Sequence, residues 1–293
     1  VSDKVRRGIP VALAVTVRRR QLASELRRLR GDRNAEEVGE AVEGWSPTKL
    51  SRAENAKVAV KEKEVTALLQ YYGADEQTTR SLIELARNAS KRGGWVQGFQ
   101  DAVSSPNITD LATLEETATR VSTYEQSLIP GLFQTADYAR EIIRKLSAKP
   151  NINVEARVAV RMGRQAVLTR PDPVEVWAVI HEAALCSNVG GPEVMGPQLD
   201  RVINYAKLPN VNIHVMPTSS HAHPGMSGSF TILSFTQQQE FDVVLVDGTL
   251  RSIWIEEADD VAAFHSKFRS ITAEAMGAED SLKFIIDRRD KIT

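Results

Sequence analysis

Thr48, Lys49, Ser51 and Arg52 crowd hydrogen-bond donors onto one short stretch, interrupted only by the apolar Leu50 and followed by Ala53. Such side chains suit a nucleic acid. A guanidinium meets guanine through two parallel bonds, an ammonium meets phosphate as a point charge, and hydroxyls serve either. The chemistry is recognition, without bond-making. To present it, the stretch must be a helix that a neighbouring element braces at a steep angle.

The flanking residues supply both. Ser46 before Pro47 is a helix start: the hydroxyl accepts from a free backbone N–H, and proline lacks the N–H that has no partner at the first helical position. Leu50 and Ala53 then face inward, which leaves Thr48, Lys49, Ser51 and Arg52 outside. Upstream, Asn34 and Glu37 have the spacing of a capping box. Val38 and Val42, four apart, give the helix they open one apolar face, and Gly44 stops it. Asn34, Ser46 and Lys57, at the ends of these two helices, join the donors expected to touch double-stranded DNA.

The run Trp45-Ser46-Pro47-Thr48-Lys49-Leu50-Ser51-Arg52-Ala53-Glu54-Asn55 resembles the recognition helix of XRE-type (phage-repressor-like) helix-turn-helix regulators. The resemblance implies that Glu54 pairs with an arginine on the first helix, with Arg30 the best match and Arg27 the second. Ala56 stands where that family usually carries glycine. Three later runs, at residues 125–140, 177–185 and 208–217, are similar to a C-terminal domain common in actinobacterial regulators of this type. Its role in the family is poorly defined, and the family is often encoded beside a small protein, which the resemblance implies as a partner.

Composition sets the frame. The chain has 293 residues and 42% hydrophobic content, enough for two domains with their own cores. Its net charge is only −1, but the sign is uneven. Between residues 1 and 33, Lys4, Arg6, Arg7, Arg18, Arg19, Arg20, Arg27, Arg28, Arg30 and Arg33 face only Asp3, Glu25 and Asp32. A basic end on a mildly acidic remainder is the footprint of a DNA-binding module joined to something else. The one cysteine, Cys186, excludes an internal disulfide and cannot alone build a zinc cluster. No apolar run approaches the roughly 20 residues needed to span a bilayer. The apolar stretch from Gly8 to Val17 is short and runs straight into three arginines, unlike a signal peptide. The expected location is cytoplasmic and nucleoid-associated.

Periodicity predicts an all-α five-helix helix-turn-helix bundle over residues 1–90, including a basic tail at 1–16. Leu22, Leu26 and Leu29 mark its first helix, Val65, Leu68, Leu69 and Tyr72 its fourth, and Leu82, Ile83, Leu85 and Ala86 its fifth. Residues 91–110 read as a linker with Trp95 and Phe99 docked. Residues 111–293 are predicted to form an α+β domain with a largely antiparallel sheet. It opens with a helix at 111–128, marked by Leu114, Ala118, Val121 and Tyr124. A helix at 153–168 carries arginines on its outer face. Strands are expected at 174–180, 211–216, 229–235, 241–246 and 250–255, the last three as a meander with a turn at Asp247-Gly248. A helix at 197–206 falls between the first two strands, and two more close the chain.

Outside the bundle, His221 and His223 would place two imidazoles on one side of an extended segment, yet no third ligand has metal spacing. His181 and Glu182 at a strand end, with Tyr205, are the other polar groups expected to meet a ligand or partner. The glycine-rich run 225–229 precedes a strand and so is no phosphate cradle. With no nucleophile elbow, P-loop, zinc-protease or dinucleotide fingerprint, no catalytic residue, metal or cofactor is expected. These observations point to a sequence-specific transcriptional regulator acting as a homodimer. Its C-terminal domain would bind a partner protein or a small-molecule signal. The alternatives are an autoregulated, toxin–antitoxin-like scaffold that sequesters a small protein, and an enzyme tethered to DNA.

Overall fold

A computed structural model describes residues 17–90, 106–147, 152–235, 242–248 and 252–292. The basic tail at 1–16 and the linker residues Trp95 and Phe99 lie outside the described residues. The chain divides into two compact units, Val1–Gly94 and Trp95–Thr293. No helix among the described residues is long and apolar enough to cross a membrane.

The first unit is a bundle of α1 (Val17–Arg30), α2 (Ala35–Ala41), α3 (Pro47–Glu54), α4 (Glu62–Tyr72) and α5 (Glu76–Ser90). Leu22, Leu26, Val38, Leu50, Val65, Leu68, Leu69 and Leu82 are fully or almost fully buried, so each helix turns its apolar stripe to one core. Glycine ends two of the helices in left-handed conformation: Gly31 (φ 56°) follows α1, and Gly73 (φ 72°) follows α4. Arg27, Arg28 and Arg30 in the last turn of α1 sit where its dipole favours cations. Asn34 caps α2 by accepting from Glu36 N at 3.1 Å. The return bond from Glu37 that a full capping box requires is not made among the described residues.

The second unit is built on a six-stranded mixed sheet of order β3-β2-β1-β4-β5-β6. Its strands are β1 (Arg120–Glu125), β2 (Glu175–His181), β3 (Val211–Met216), β4 (Phe230–Ser234), β5 (Val243–Asp247) and β6 (Ser252–Ile255). The helices are α6 (Pro106–Glu115), α7 (Ala136–Leu146), α8 (Val154–Arg164), α9 (Glu182–Cys186), α10 (Pro192–Tyr205), α11 (Ala258–Glu274) and α12 (Ala278–Asp290). The β4-β5-β6 meander forms as its alternation predicts. The expectation of a largely antiparallel sheet needs correction, because β1 pairs in parallel with β2 and β2 with β3.

That correction has a local cause. The expected helix at 111–128 is instead α6 followed by β1. Leu114, Ala118, Val121 and Tyr124 have helical spacing, but Val121, Thr123 and Glu125 line one face of the sheet while Tyr124 packs on the other. A strand covered on both faces loses the alternation that identifies it. On one side, Val261, Phe268 and Ile271 of α11 close over Tyr124, Phe230, Ile232 and Val244. On the other lie α7 and α8.

Two helix expectations also change. The helix expected at 197–206 begins at Pro192, a proline that also suits a helix start, and carries Pro197 inside. The 153–168 segment is α8 plus a 3-10 turn at Gln165–Leu168. Its arginines are not an outer face: Arg164 is buried, and Arg157 and Arg161 are half-buried. Arg164 can lie inside because Glu115 meets its guanidinium with two bonds of 2.6 and 2.7 Å.

Candidate nucleic-acid interface

Helix α3 is short, and its neighbours set its position. Ser46 Oγ accepts from Lys49 N at 3.3 Å and Pro47 occupies the first turn. Gly39 in α2 lies so close to α3 that a Cβ there would be 2.8 Å from Pro47 Cδ. That glycine permits the close crossing of the two helices. The C-terminal end closes in a Schellman motif, with Lys57 N donating to Arg52 O at 2.8 Å and Ala56 N to Ala53 O at 2.9 Å. The motif puts Ala56 at φ 54°, the one non-glycine with positive φ among the described residues.

Two arginines of α1 grip the end of α3. Arg30 meets the Glu54 carboxylate with bonds of 2.7 and 3.1 Å, and Arg27 donates to the Glu54 carbonyl and to Asn55 Oδ1, each at 3.0 Å. The bond to Glu54 holds the Arg30 guanidinium above its ordinary pKa, against the pull of burial. Glu54 is buried and Arg30 partly exposed, so the pair is a clamp at the edge of the bundle core. Trp45 anchors the turn, its buried ring donating Nε1–H to Glu64 O at 3.1 Å.

The clamp leaves a face open. Thr48, Ser51, Arg52 and Lys57 are exposed, and among the described residues their side chains make no hydrogen bond or ion pair. Asn34 and Ser46 are exposed too, but their oxygens serve as helix caps. Lys49 departs from expectation. Its ammonium donates to Gly44 O at 2.6 Å, pairs with Glu64 at 2.8 Å and lies 4.9 Å from the Trp45 ring centre. It ties the turn to α4 and does not stand free. Burial pulls the Glu64 carboxyl upward, but Lys49 and the Lys61 N–H prevail and hold it below the usual range.

Of the polar residues singled out in the second unit, His181 lies near both Glu182 and His223, but each spends its polar atoms on a local cap or turn. His181 caps α9 through Nδ1, which accepts from Ala183 N at 3.1 Å. Burial, and the nearby His223, push the His181 pKa down against Glu182. Glu182 accepts from the hydroxyl and the backbone N–H of Thr218, the latter at 2.7 Å, and is held low by those bonds. His223 is buried, accepts from Gly225 N at 3.1 Å and packs edge-on to Tyr124. His221 is exposed while His223 is buried, so the two imidazoles do not share a side as an extended segment would place them. Tyr205 bonds Gln165 at 3.4 Å beside Phe133. No group of three metal-binding side chains occurs among the described residues.

Sequence reasoning passed over Gly39 and the anchoring bond of Trp45. A glycine within a capped helix is the signal that could have marked the first. The geometry of α1 to α5 is that of a helix-turn-helix domain, and a helix-turn-helix family model matches residues 21–82. A second model matches residues 108–287, more than half of the chain, and the chain belongs to that family, which is described as a domain of unknown function (DUF5753). No curated protein and no solved structure gives a match to the chain.

Proposed function

We propose that this chain is a sequence-specific, DNA-binding transcriptional regulator that acts as a homodimer, and that its second unit receives a signal. The observation that carries the reading is the open face of α3: Thr48, Ser51 and Arg52 exposed on a helix held by the Arg30–Glu54 clamp. A single such helix reads only a few base pairs, so specific sites are built from two half-sites about one helical turn apart. The second unit acts by binding, in keeping with the caps and turns on which His181, Glu182 and His223 spend their polar atoms. Mobility shift on DNA upstream of its own coding region tests the reading. Arg52→Ala is expected to cost about 1–3 kcal/mol on the specific site, provided circular dichroism shows the variant folded. Unchanged affinity refutes the assignment, and light scattering that finds a monomer both free and on DNA refutes the dimer.

A second reading, an autoregulated scaffold that sequesters a small protein, is favoured by β6. This strand is at the sheet edge and leaves Ile253 60% exposed, the kind of edge onto which another chain adds a strand. Copurification of a stoichiometric partner that is lost on Ile253→Lys favours it over signal sensing.

A further inference from the structure

Between α7, α8 and one face of β1, β4 and β5 lies a cavity of about 260 Å³. Its lining combines two chemistries. Leu111, Leu128, Ile142, Ile143 and Leu146 form an aliphatic wall, and Leu146 stays 59% exposed. The charged part of the lining is Arg157, Arg161 and Arg164 of α8 with the carboxylates Glu115, Glu125 and Asp247.

The three arginines are not equally satisfied. Arg164 is neutralised by Glu115, and both side chains are buried. Arg161 donates to the neutral Gln134 Oε1 at 2.7 Å and forms no ion pair among the described residues. Gln134 is itself fixed by donating to Ile129 O at 2.6 Å. Arg157 likewise has no ion pair among the described residues, and its Nε is buried without a hydrogen-bond partner. Burial pushes the Arg161 guanidinium down to about 10 and the Glu125 carboxyl, also on the lining, up to about 7. Burial is the largest cause of both shifts; Asp247, Glu125 and Glu115 act against the fall at Arg161, and Asp247 adds to the rise at Glu125. Yet among the described residues none of these carboxylates forms an ion pair with Arg161 or Arg157. A half-buried guanidinium with no paired carboxylate is costly, and an incoming anion would supply the pairing.

We propose that this cavity binds a small aliphatic carboxylate, its head paired with Arg161 and Arg157 and its hydrocarbon body laid against Leu111, Leu128 and Ile142. The assignment rests on the reading of the second unit as a signal receiver and names the class of signal. Hexanoate is a fitting probe: its roughly eight non-hydrogen atoms, at about 30 Å³ for each water-sized unit, fill a space of this size.

The test is isothermal titration calorimetry of the full chain with sodium hexanoate, hexan-1-ol and a hexapeptide ending in leucine. Hexanoate is expected to bind one site saturably, with hexanol at least tenfold weaker. Arg161→Met should lose at least tenfold in affinity. Leu128→Trp, which fills the cavity and leaves its charges alone, should abolish binding. Circular dichroism and thermal melts verify that both variants fold. The proposal is overturned by absent hexanoate binding at millimolar concentration, by equal binding of hexanol, or by an unaffected Arg161→Met variant. Tighter binding of the peptide overturns the small-ligand assignment in favour of a partner's chain terminus. Mobility shift with and without hexanoate separates the two layers. Hexanoate that binds but leaves operator affinity unchanged refutes the signal reading and keeps the pocket; absent binding with intact operator affinity refutes the pocket alone.

Discussion

Both units use arginine–glutamate pairs, to different ends. In the bundle, Arg30 and Glu54 join α1 to α3 near the surface, with 22% and 6% of their side chains exposed. In the second unit, Arg164 and Glu115 join α8 to α6 in the interior, with 9% and 2% exposed. The first pair frees a polar face outside it; the second stands beside guanidiniums turned inward on a cavity. The same residue types therefore direct recognition outward in one unit and inward in the other. What decides is which face of the helix is covered.

The depth of the pair should set the size of the loss. Glu115→Ala strands a buried guanidinium and is expected to cost about 3–5 kcal/mol in urea unfolding. Glu54→Ala leaves Arg30 partly in water and should cost less, about 1–3 kcal/mol. Equal losses would break the contrast.

Glu125 sharpens it through pH. Its folded pKa of about 7 lies above its ordinary 4.5, with burial the largest cause and Asp247 adding to it, against Ser229 and Arg161. Tyr138 also feels its charge. Between these values the folded state binds more protons than the unfolded one, so this group's contribution to stability falls as pH rises from about 4.5 to 7. Glu125→Gln should stabilise the protein by about 2–3 kcal/mol at pH 8 and by little at pH 5, as read from urea midpoints. Equal effects at the two pH values would refute the shift.

The bundle was the more legible half, since its signals are local. Asn34, Ser46, Pro47, Gly44 and Gly73 punctuate helices whose apolar stripes all face one way. In the second unit, β1 is covered on both faces, and the arginines of α8 follow a pattern that a solvated face would equally produce. Charge pattern alone does not say where α7 and α6 will lie. Lys49 shows the limit within the bundle: its position on α3 was legible, but its bond to Glu64, fifteen residues away, was not.

Lys49 and Lys57 make the next contrast. Lys57→Ala should weaken DNA binding uniformly and reduce the salt slope by about 1. Lys49→Ala should leave that slope unchanged and cost about 1 kcal/mol of stability, because its partners are internal. A reduced slope for Lys49→Ala in salt-series binding would show that it leaves Glu64 for phosphate. The smallest effect belongs to Ala56, whose left-handed backbone favours glycine. Ala56→Gly should raise stability by about 0.5 kcal/mol in thermal melts, strain relief slightly exceeding lost methyl burial and chain entropy. A loss would mean that the methyl group outweighs the strain.

The position of β1 has a consequence for synthesis. Among the six described strands it is made first, yet it sits mid-sheet between β2 and β4, and Thr123 meets Thr231 across a separation of 108 residues. Every helix of the bundle has been translated by Ser90. At a translation rate of about 5–20 residues per second, β1 waits about 5–20 s for that partner to be made. During that interval Val121 and Tyr124, buried in the finished sheet, lack the β4 neighbours that cover them. A ribosome stalled before β4 would hold a finished bundle tethered to a sheet with an open central edge.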